Sequence, residues 1–439
     1  MVKEFFKTRA NVLLNGWGDS RGTFTQTVIS LYLIQVFNYL LPLITLPYLV
    51  RVLGPEKFGV VAFGQGLMGF LILIVNYGFD WSATREISTR RNDKTSVNRI
   101  AMSVWTAKLL LSAGSFLLLL LLVHSSQKLR DHSDVLFGMY GIVLGAAIEP
   151  GWLYQGLDQL PAFVSINMLV RVAGTTAVFL VVQGESDFVF YAELLSLQSI
   201  ATGVIAAWIA RRRFNLDLSM PSWRDVKNSL RNGWTLFLST ASVSLYTTGN
   251  AFILGLLSDN VAVGYYSAAE RIVKSGSTIL GPIGHAAFSR SAKLGAESRE
   301  HALAWAKKLI VVTGGFGFML SLLVFLLADP IVALLLGNAY HSSVSVVRIL
   351  ASYILINGVT NIWGIHIMLP FGLDRPFLVI LLLAGLLNLI MAVVLVPLWR
   401  ENGMATAVLS AGILVTVAQP LYLKRKGLLP RGLRSKSSL

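Results

Sequence analysis

Apolar residues run through this chain in blocks of about twenty, divided by short polar clusters rich in Lys and Arg. A helix needs roughly 20 apolar residues to cross the hydrocarbon core of a bilayer. The pattern therefore predicts twelve membrane-spanning helices. The first six fall at approximately 28–50, 58–79, 100–123, 135–153, 161–182 and 188–210, and the second six at approximately 234–257, 261–286, 309–328, 346–369, 377–397 and 403–423. The expected organisation is a tail over 1–27, a first six-helix bundle over 28–210, a basic linker over 211–233, a second bundle over 234–423, and a basic tail over 424–439.

The halves resemble each other. Gly59-Val60-Val61-Ala62, just inside span 2, matches Gly264-Tyr265-Tyr266-Ser267 just inside span 8. Gly156-Leu157-Asp158 before span 5 recurs as Gly372-Leu373-Asp374 before span 11. Six is even, so the second copy enters the membrane in the same direction as the first. The fold class predicted is an all-α polytopic membrane protein with about twelve spans in two parallel six-helix bundles around a central cavity, the arrangement of transporters that rock about a site between repeats.

Composition agrees with a membrane chain: 54% of the 439 residues are hydrophobic and 13% charged, against about 25% charged in soluble domains. The net charge of +15 would suit nucleic acid in a soluble protein, but the basic residues sit in clusters between apolar runs. Alternate loops separate them, 27 Lys and Arg on one side against 5 on the other. Positive residues stay on the cytoplasmic side, so both termini are expected there. The first apolar run is too long for a signal-peptide core and no small-residue cleavage site follows it, so it is read as a retained span. With no cysteine, disulfides, thiolate metal sites and thiol nucleophiles are excluded.

Several stretches resemble the polysaccharide-export branch of the multidrug/oligosaccharidyl-lipid/polysaccharide exporter superfamily, the Wzx-type O-antigen flippases. They are Asn38-Tyr39-Leu40-Leu41-Pro42-Leu43-Ile44-Thr45-Leu46-Pro47-Tyr48-Leu49, Arg51-Val52-Leu53-Gly54-Pro55-Glu56-Lys57-Phe58-Gly59 and Asn76-Tyr77-Gly78-Phe79-Asp80-Trp81-Ser82-Ala83-Thr84-Arg85-Glu86. Glu149-Pro150-Gly151-Trp152-Leu153-Tyr154-Gln155-Gly156 adds to them, as does Asp329-Pro330 leading to Leu336-Gly337-Asn338-Ala339-Tyr340. The resemblance implies passage of an undecaprenyl-diphosphate-linked oligosaccharide to the periplasmic leaflet of the bacterial inner membrane. The head group would cross through a cavity between the halves while the lipid tail stays in the bilayer. Membrane lipids are then partners, together with the polysaccharide polymerase and chain-length machinery, and nucleic acid is not.

Charged residues inside spans are the independent pointers, because each costs on the order of 2.5–3.5 kcal/mol at a helix centre. Arg171 and Arg271 lie about ten residues into spans 5 and 8, roughly 15 Å deep. Lys274 stands one turn beyond Arg271, and Lys108 is shallower in span 3. These four are the substrate-binding candidates: a guanidinium meets a diphosphate with two hydrogen bonds and an ammonium meets it as a point charge. The plainer alternative is internal pairing, above all for Lys274 with Glu270 four residues before it; Lys108 alternatively snorkels. Glu149, Glu193 and Glu270 are the candidates for ion coupling, or else they only balance the cavity cations. Pro42 and Pro47 are expected to bend span 1, and Pro150 to break the helix after Glu149. His366 reads as a packing residue and Arg348 as an anchor at a span end.

No Gly-rich phosphate loop, HExxH zinc pair or GxSxG elbow is present, so no enzyme, cofactor or metal is expected. Rival readings remain. A multidrug or cation exporter would share the fold but calls for acidic groups in the cavity, and span 1 has none. A membrane-embedded sugar polymerase calls for a larger outer loop than Asp329 to Ser345. A lipid II flippase resembles fourteen-span chains.

Overall fold

The computed structural model describes residues 24–278, 287, 291, 294 and 299–428, with side chains from residue 44 onward except at 239, 242, 245, 246 and 299. Most of the expected amino-terminal tail, the end expected for span 8 and the tail from residue 429 lie outside these residues. The described chain is helical throughout: α1 (Phe24–Asn76), α2 (Phe79–Thr89), α3 (Lys94–Ser125), α4 (Gln127–Arg130), α5 (Ser133–Ile148), α6 (Gly151–Gly156), α7 (Leu160–Val181) and α8 (Phe188–Phe214). It continues as α9 (Trp223–Thr247), α10 (Asn250–Leu257), α11 (Asn260–Ser277), α12 (Arg299–Leu326), α13 (Ala328–Leu335), α14 (Ser343–Trp363) and α15 (Asp374–Arg425).

Among the described residues, eight helical stretches are long and apolar enough to cross a membrane: Ile44–Thr89, Lys94–Ser125, Ser133–Gly156, Leu160–Val181, Glu185–Phe214, Glu300–Leu326, Ser343–Met368 and Asp374–Arg425. Two of them each take in two of the expected runs. Their breaks are single non-helical residues, Gly54 (φ 66, ψ 172) in α1 and Arg400 (φ 49, ψ −124) in α15. The run expected around 234–257 is divided between α9 and α10, and the described part of the run expected at 261–286 is α11. Outward faces carry apolar side chains such as Leu121, Leu180 and Leu326, as lipid contact requires, because tails are as apolar as leucine and only close packing draws spans together.

The packing follows that rule. Gly141 and Gly145, spaced as GxxxG on α5, face α8, where a Cβ on Gly145 would stand 2.4 Å from the Ser199 carbonyl carbon. Ser199 Oγ donates to the Ile142 carbonyl at 3.1 Å. Small residues on both helices thus bring the backbones together and hydrogen-bond across the contact.

Buried apolar side chains form one cluster that joins both halves, running through Leu49, Phe63, Leu136, Tyr191, Leu254, Tyr266, Val347 and Val396. A second cluster belongs to residues 79–226 alone, around Phe79, Val104, Trp152 and Ala206. A third belongs to the second half, around Leu309, Ile367, Leu381 and Val415. One apolar cluster is thus shared by the halves and one belongs to each, while α9 of the second half also packs on the first half through the rings of Tyr77, Trp234 and Phe237.

Candidate functional site

Arg271 stands where the shared core brings the halves together. α11 carries it against α1: its Nη2 donates to Gln65 Oε1, its guanidinium lies 5.0 Å from the centre of the Phe58 ring, and the Tyr191 hydroxyl from α8 lies within reach of its charge. A half-buried cation on the second half is therefore held by three side chains of the first. Phe58 supplies a ring face and Gln65 a neutral acceptor, so the positive charge is solvated without being neutralised.

One turn further along α11 the charge is balanced. Lys274 Nζ lies 3.1 Å from Glu270 Oε1 and 3.3 Å from the Thr247 carbonyl, and Glu270 accepts from the Tyr266 hydroxyl at 2.9 Å. Thr247, Glu270 and Lys274 line a cavity of about 210 Å³ with Asn250, Tyr353 and Asn357. Behind it, Asn388 donates to Asn250 at 3.0 Å in the buried interior. Pairing at i and i+4 is the plainer of the two readings that the spacing allowed for Lys274.

A separate polar cavity of about 220 Å³ lies wholly in the first half, lined by Asn76, Asp80, Lys108, Glu149, Trp152, Gln155 and Phe163 among others. Pro150 explains its shape. α5 ends at Ile148 and α6 begins at Gly151, and the interruption leaves the Glu149 carbonyl facing Lys108 Nζ at 3.4 Å. Lys108 is only 2% exposed and does not snorkel. The carboxylates of Asp80 and Glu149 are near enough to act on its charge, yet among the described residues neither makes a hydrogen bond or an ion pair. A third, largely apolar cavity of about 680 Å³ lies beside Leu303, Lys307, Trp363 and Ile367.

Of the other candidates, Arg171 is half-buried on α7, makes its own contact within the protein, and lines none of these cavities. Glu193 is exposed on α8 beside Gly138 and lines none of them either. Pro42 and Pro47 both stand within α1, the first among residues whose side chains are not described, and the helical pattern runs through both to the break at Gly54. His366 is buried and shares a hydrogen bond with Ser291 Oγ at 2.9 Å. Arg348 pairs with Asp329 on the surface.

Sequence reasoning did not single out Gln65, Tyr191 or Asp80. Gln65 carried a usable signal as a polar residue deep in an apolar run. Asp80 was read as the start of a loop, and only the packing of α2 against α6 brings it to Lys108 and Glu149.

Comparison with known proteins places this architecture. Residues 24–295 match the family model described as "Polysaccharide biosynthesis protein". A curated protein of Escherichia coli (strain K12) named "Putative O-antigen transporter" is 31% identical over 404 residues, covering 92% of this chain and 97% of the relative. Among solved structures, the lipid II flippase MurJ in an inward closed conformation matches with a TM-score of 0.69 at 11% identity, over 90% of this chain and 87% of that one. An inward-facing multidrug resistance transporter of the MATE family, in the MOP superfamily, matches with a TM-score of 0.67 at 15% identity, over 91% and 96%. The family model and the relative covering nine-tenths of the chain establish that this protein belongs to the polysaccharide biosynthesis protein family, the Wzx-type branch of the superfamily its motifs resemble.

Proposed function

We propose that the chain is a flippase that moves an undecaprenyl-diphosphate-linked oligosaccharide repeat unit from the cytoplasmic to the periplasmic leaflet by alternating access, for O-antigen or another surface polysaccharide. The observation that carries this reading is Arg271, a guanidinium without an acidic partner among the described residues, held between the halves at their shared core. A diphosphate is the group such a cation suits: its oxygens accept two parallel hydrogen bonds from a guanidinium, and Gln65 and Tyr191 are neutral partners that a stronger acceptor displaces. A cationic drug would meet repulsion there, which favours the anionic lipid over the multidrug reading.

The same reading places both termini in the cytoplasm, from the loop asymmetry, and the two six-helix bundles at 28–210 and 234–423. Glu149 and Glu270 stay as candidates for ion coupling because each lines a polar cavity; exposed Glu193 is the weaker one. A polymerase and chain-length machinery would receive the exported unit.

The test is flipping of a lipid-linked oligosaccharide in reconstituted vesicles at matched protein amount. Arg271→Ala should lose most flipping and Arg271→Lys should keep part of it, whereas Arg348→Ala should behave as wild type. Equal activity of Arg271→Ala and Arg348→Ala would remove the reading.

A further inference from the structure

We propose that the polar cavity of the first half is a sugar-recognition subsite, which selects the carbohydrate of the lipid-linked substrate separately from its diphosphate. This inference rests on the substrate reading above.

The cavity brings together groups from four places in the sequence: Asn76 at the end of α1, Asp80 on α2, Lys108 on α3, and Glu149, Trp152 and Gln155 at the α5–α6 break, with Phe163 of α7 beside them. Its chemistry is mixed. Two carboxylates accept, one ammonium donates, and two amides do both. Each charged group keeps spare capacity, since the only hydrogen bond among the three is the 3.4 Å contact of Lys108 Nζ with the Glu149 carbonyl. Trp152 supplies an independent sign: it is 1% exposed, it lines the cavity, and its indole Nε1 is buried without a hydrogen-bond partner. Buried donors are paired in the great majority of cases, so an unpaired one facing a cavity points to a ligand that accepts from it.

Charge decides among ligands. An inorganic anion would face two carboxylates, and a metal cation would face the buried ammonium, each at a few ångströms where repulsion is strong. A neutral ring bearing several hydroxyls meets no net repulsion, gives protons to Asp80 and Glu149, and accepts them from Lys108, Trp152 and the amides. Aromatic walls with a few convergent polar groups are the general form of a small-molecule site. The Asp80 side chain is exposed, so the cavity is accessible.

Binding to the full-length protein in lipid nanodiscs tests this, with sugar-free undecaprenyl diphosphate and with undecaprenyl diphosphate carrying single sugars, N-acetylglucosamine and galactose, as probes. The wild type should bind at least one sugar-bearing lipid more tightly than the sugar-free lipid. Glu149→Gln and Asp80→Asn should lose that preference by about tenfold or more, the worth of one hydrogen bond to a charged group, and leave sugar-free binding unchanged. Gln155→Ala, at an exposed position that does not endanger folding, should lose it in part. A wild type that binds sugar-free and sugar-bearing lipids equally overturns the inference and leaves the flippase reading standing, as does an equal loss of both lipids in the three variants. Binding of neither lipid by the wild type removes the flippase reading itself. Radiolabelled sodium bound by the wild type and lost in Glu149→Gln would show a cation site instead.

Discussion

Asp93 shows how a single polar residue sets a boundary. Its carboxylate accepts the Ser96 hydroxyl at 2.6 Å and the Ser96 amide at 3.1 Å, capping α3, and these two bonds hold its pKa below the usual carboxylate value. A depressed folded pKa means that the cap is fully present above the ordinary carboxylate range and is lost as pH falls through the lowered value. Amide exchange at Thr95 to Val97, corrected for intrinsic rates, should therefore accelerate on acidification, and Asp93→Ala should show the fast rate at every pH. A pH-independent rate in the wild type would contradict the cap. Glu270 offers the opposite case. Its pair with Lys274 is half-exposed on the lysine side, so Glu270→Gln should change stability by only about 0–1 kcal/mol, read as a thermal melt in detergent. Collapse of the folded fraction would show a structural role. Such contacts were legible in the sequence to the extent that they are local. The spacing of Glu270 and Lys274 and the helix break at Pro150 are properties of neighbouring residues. The meeting of Asp80, Lys108 and Glu149 is not, because it depends on how three helices pack, and a sequence period carries no information about that.

At the scale of elements, the repeat visible in the sequence becomes a contact. A Cβ on Gly59 of α1 would lie 1.8 Å from the Asn260 carbonyl oxygen, and one on Gly264 of α11 would lie 2.0 Å from the Pro55 carbonyl oxygen. The two repeat-related glycines thus let α1 and α11 cross in a reciprocal contact that no other residue fits, since backbone cannot yield at that distance. Periodicity located both glycines but did not say that they face each other. The break in α1 falls at Gly54, in a φ/ψ region essentially reserved for glycine. Gly54→Ala should cost about 1–3 kcal/mol. Gly59→Ala and Gly264→Ala should keep the helices apart and expose the face they cover. Because the chain has no native cysteine, Ser267→Cys, buried three residues beyond Gly264 on α11, reports this directly. Labelling by a membrane-impermeant maleimide should be slow in that background and faster when Gly59→Ala is added. Unchanged labelling would mean that the crossing adapts without opening.

For the molecule as a whole, what bears on the proposed alternating access is how the halves are joined. Beside the shared cluster, cations of the first half hold carbonyl groups of the second: Arg51 donates to Leu334 and Lys128 to Ser258, while His132 and Asn260 share a hydrogen bond at 3.0 Å. Each half also has its own apolar cluster, beside the loops in which the sequence concentrates Lys and Arg. If the halves alternate as proposed, the shared apolar cluster and these polar contacts must come apart together, while the clusters confined to one half stay intact. The grouping of the apolar side chains into clusters was not legible in the sequence, because every span is apolar and the sequence does not mark which apolar face meets which. The corresponding prediction is that a covalent link across these contacts stops transport. In the cysteine-free chain, His132→Cys combined with Asn260→Cys places the only two thiols on opposite halves at positions whose side chains touch. A short bifunctional thiol reagent should then block flipping of a lipid-linked oligosaccharide in reconstituted vesicles, either single variant should be insensitive to it, and a cleavable version of the reagent should give activity back after reduction. Full activity of the linked protein would show that the halves do not need to part at these contacts, and would remove alternating access as the way this chain works.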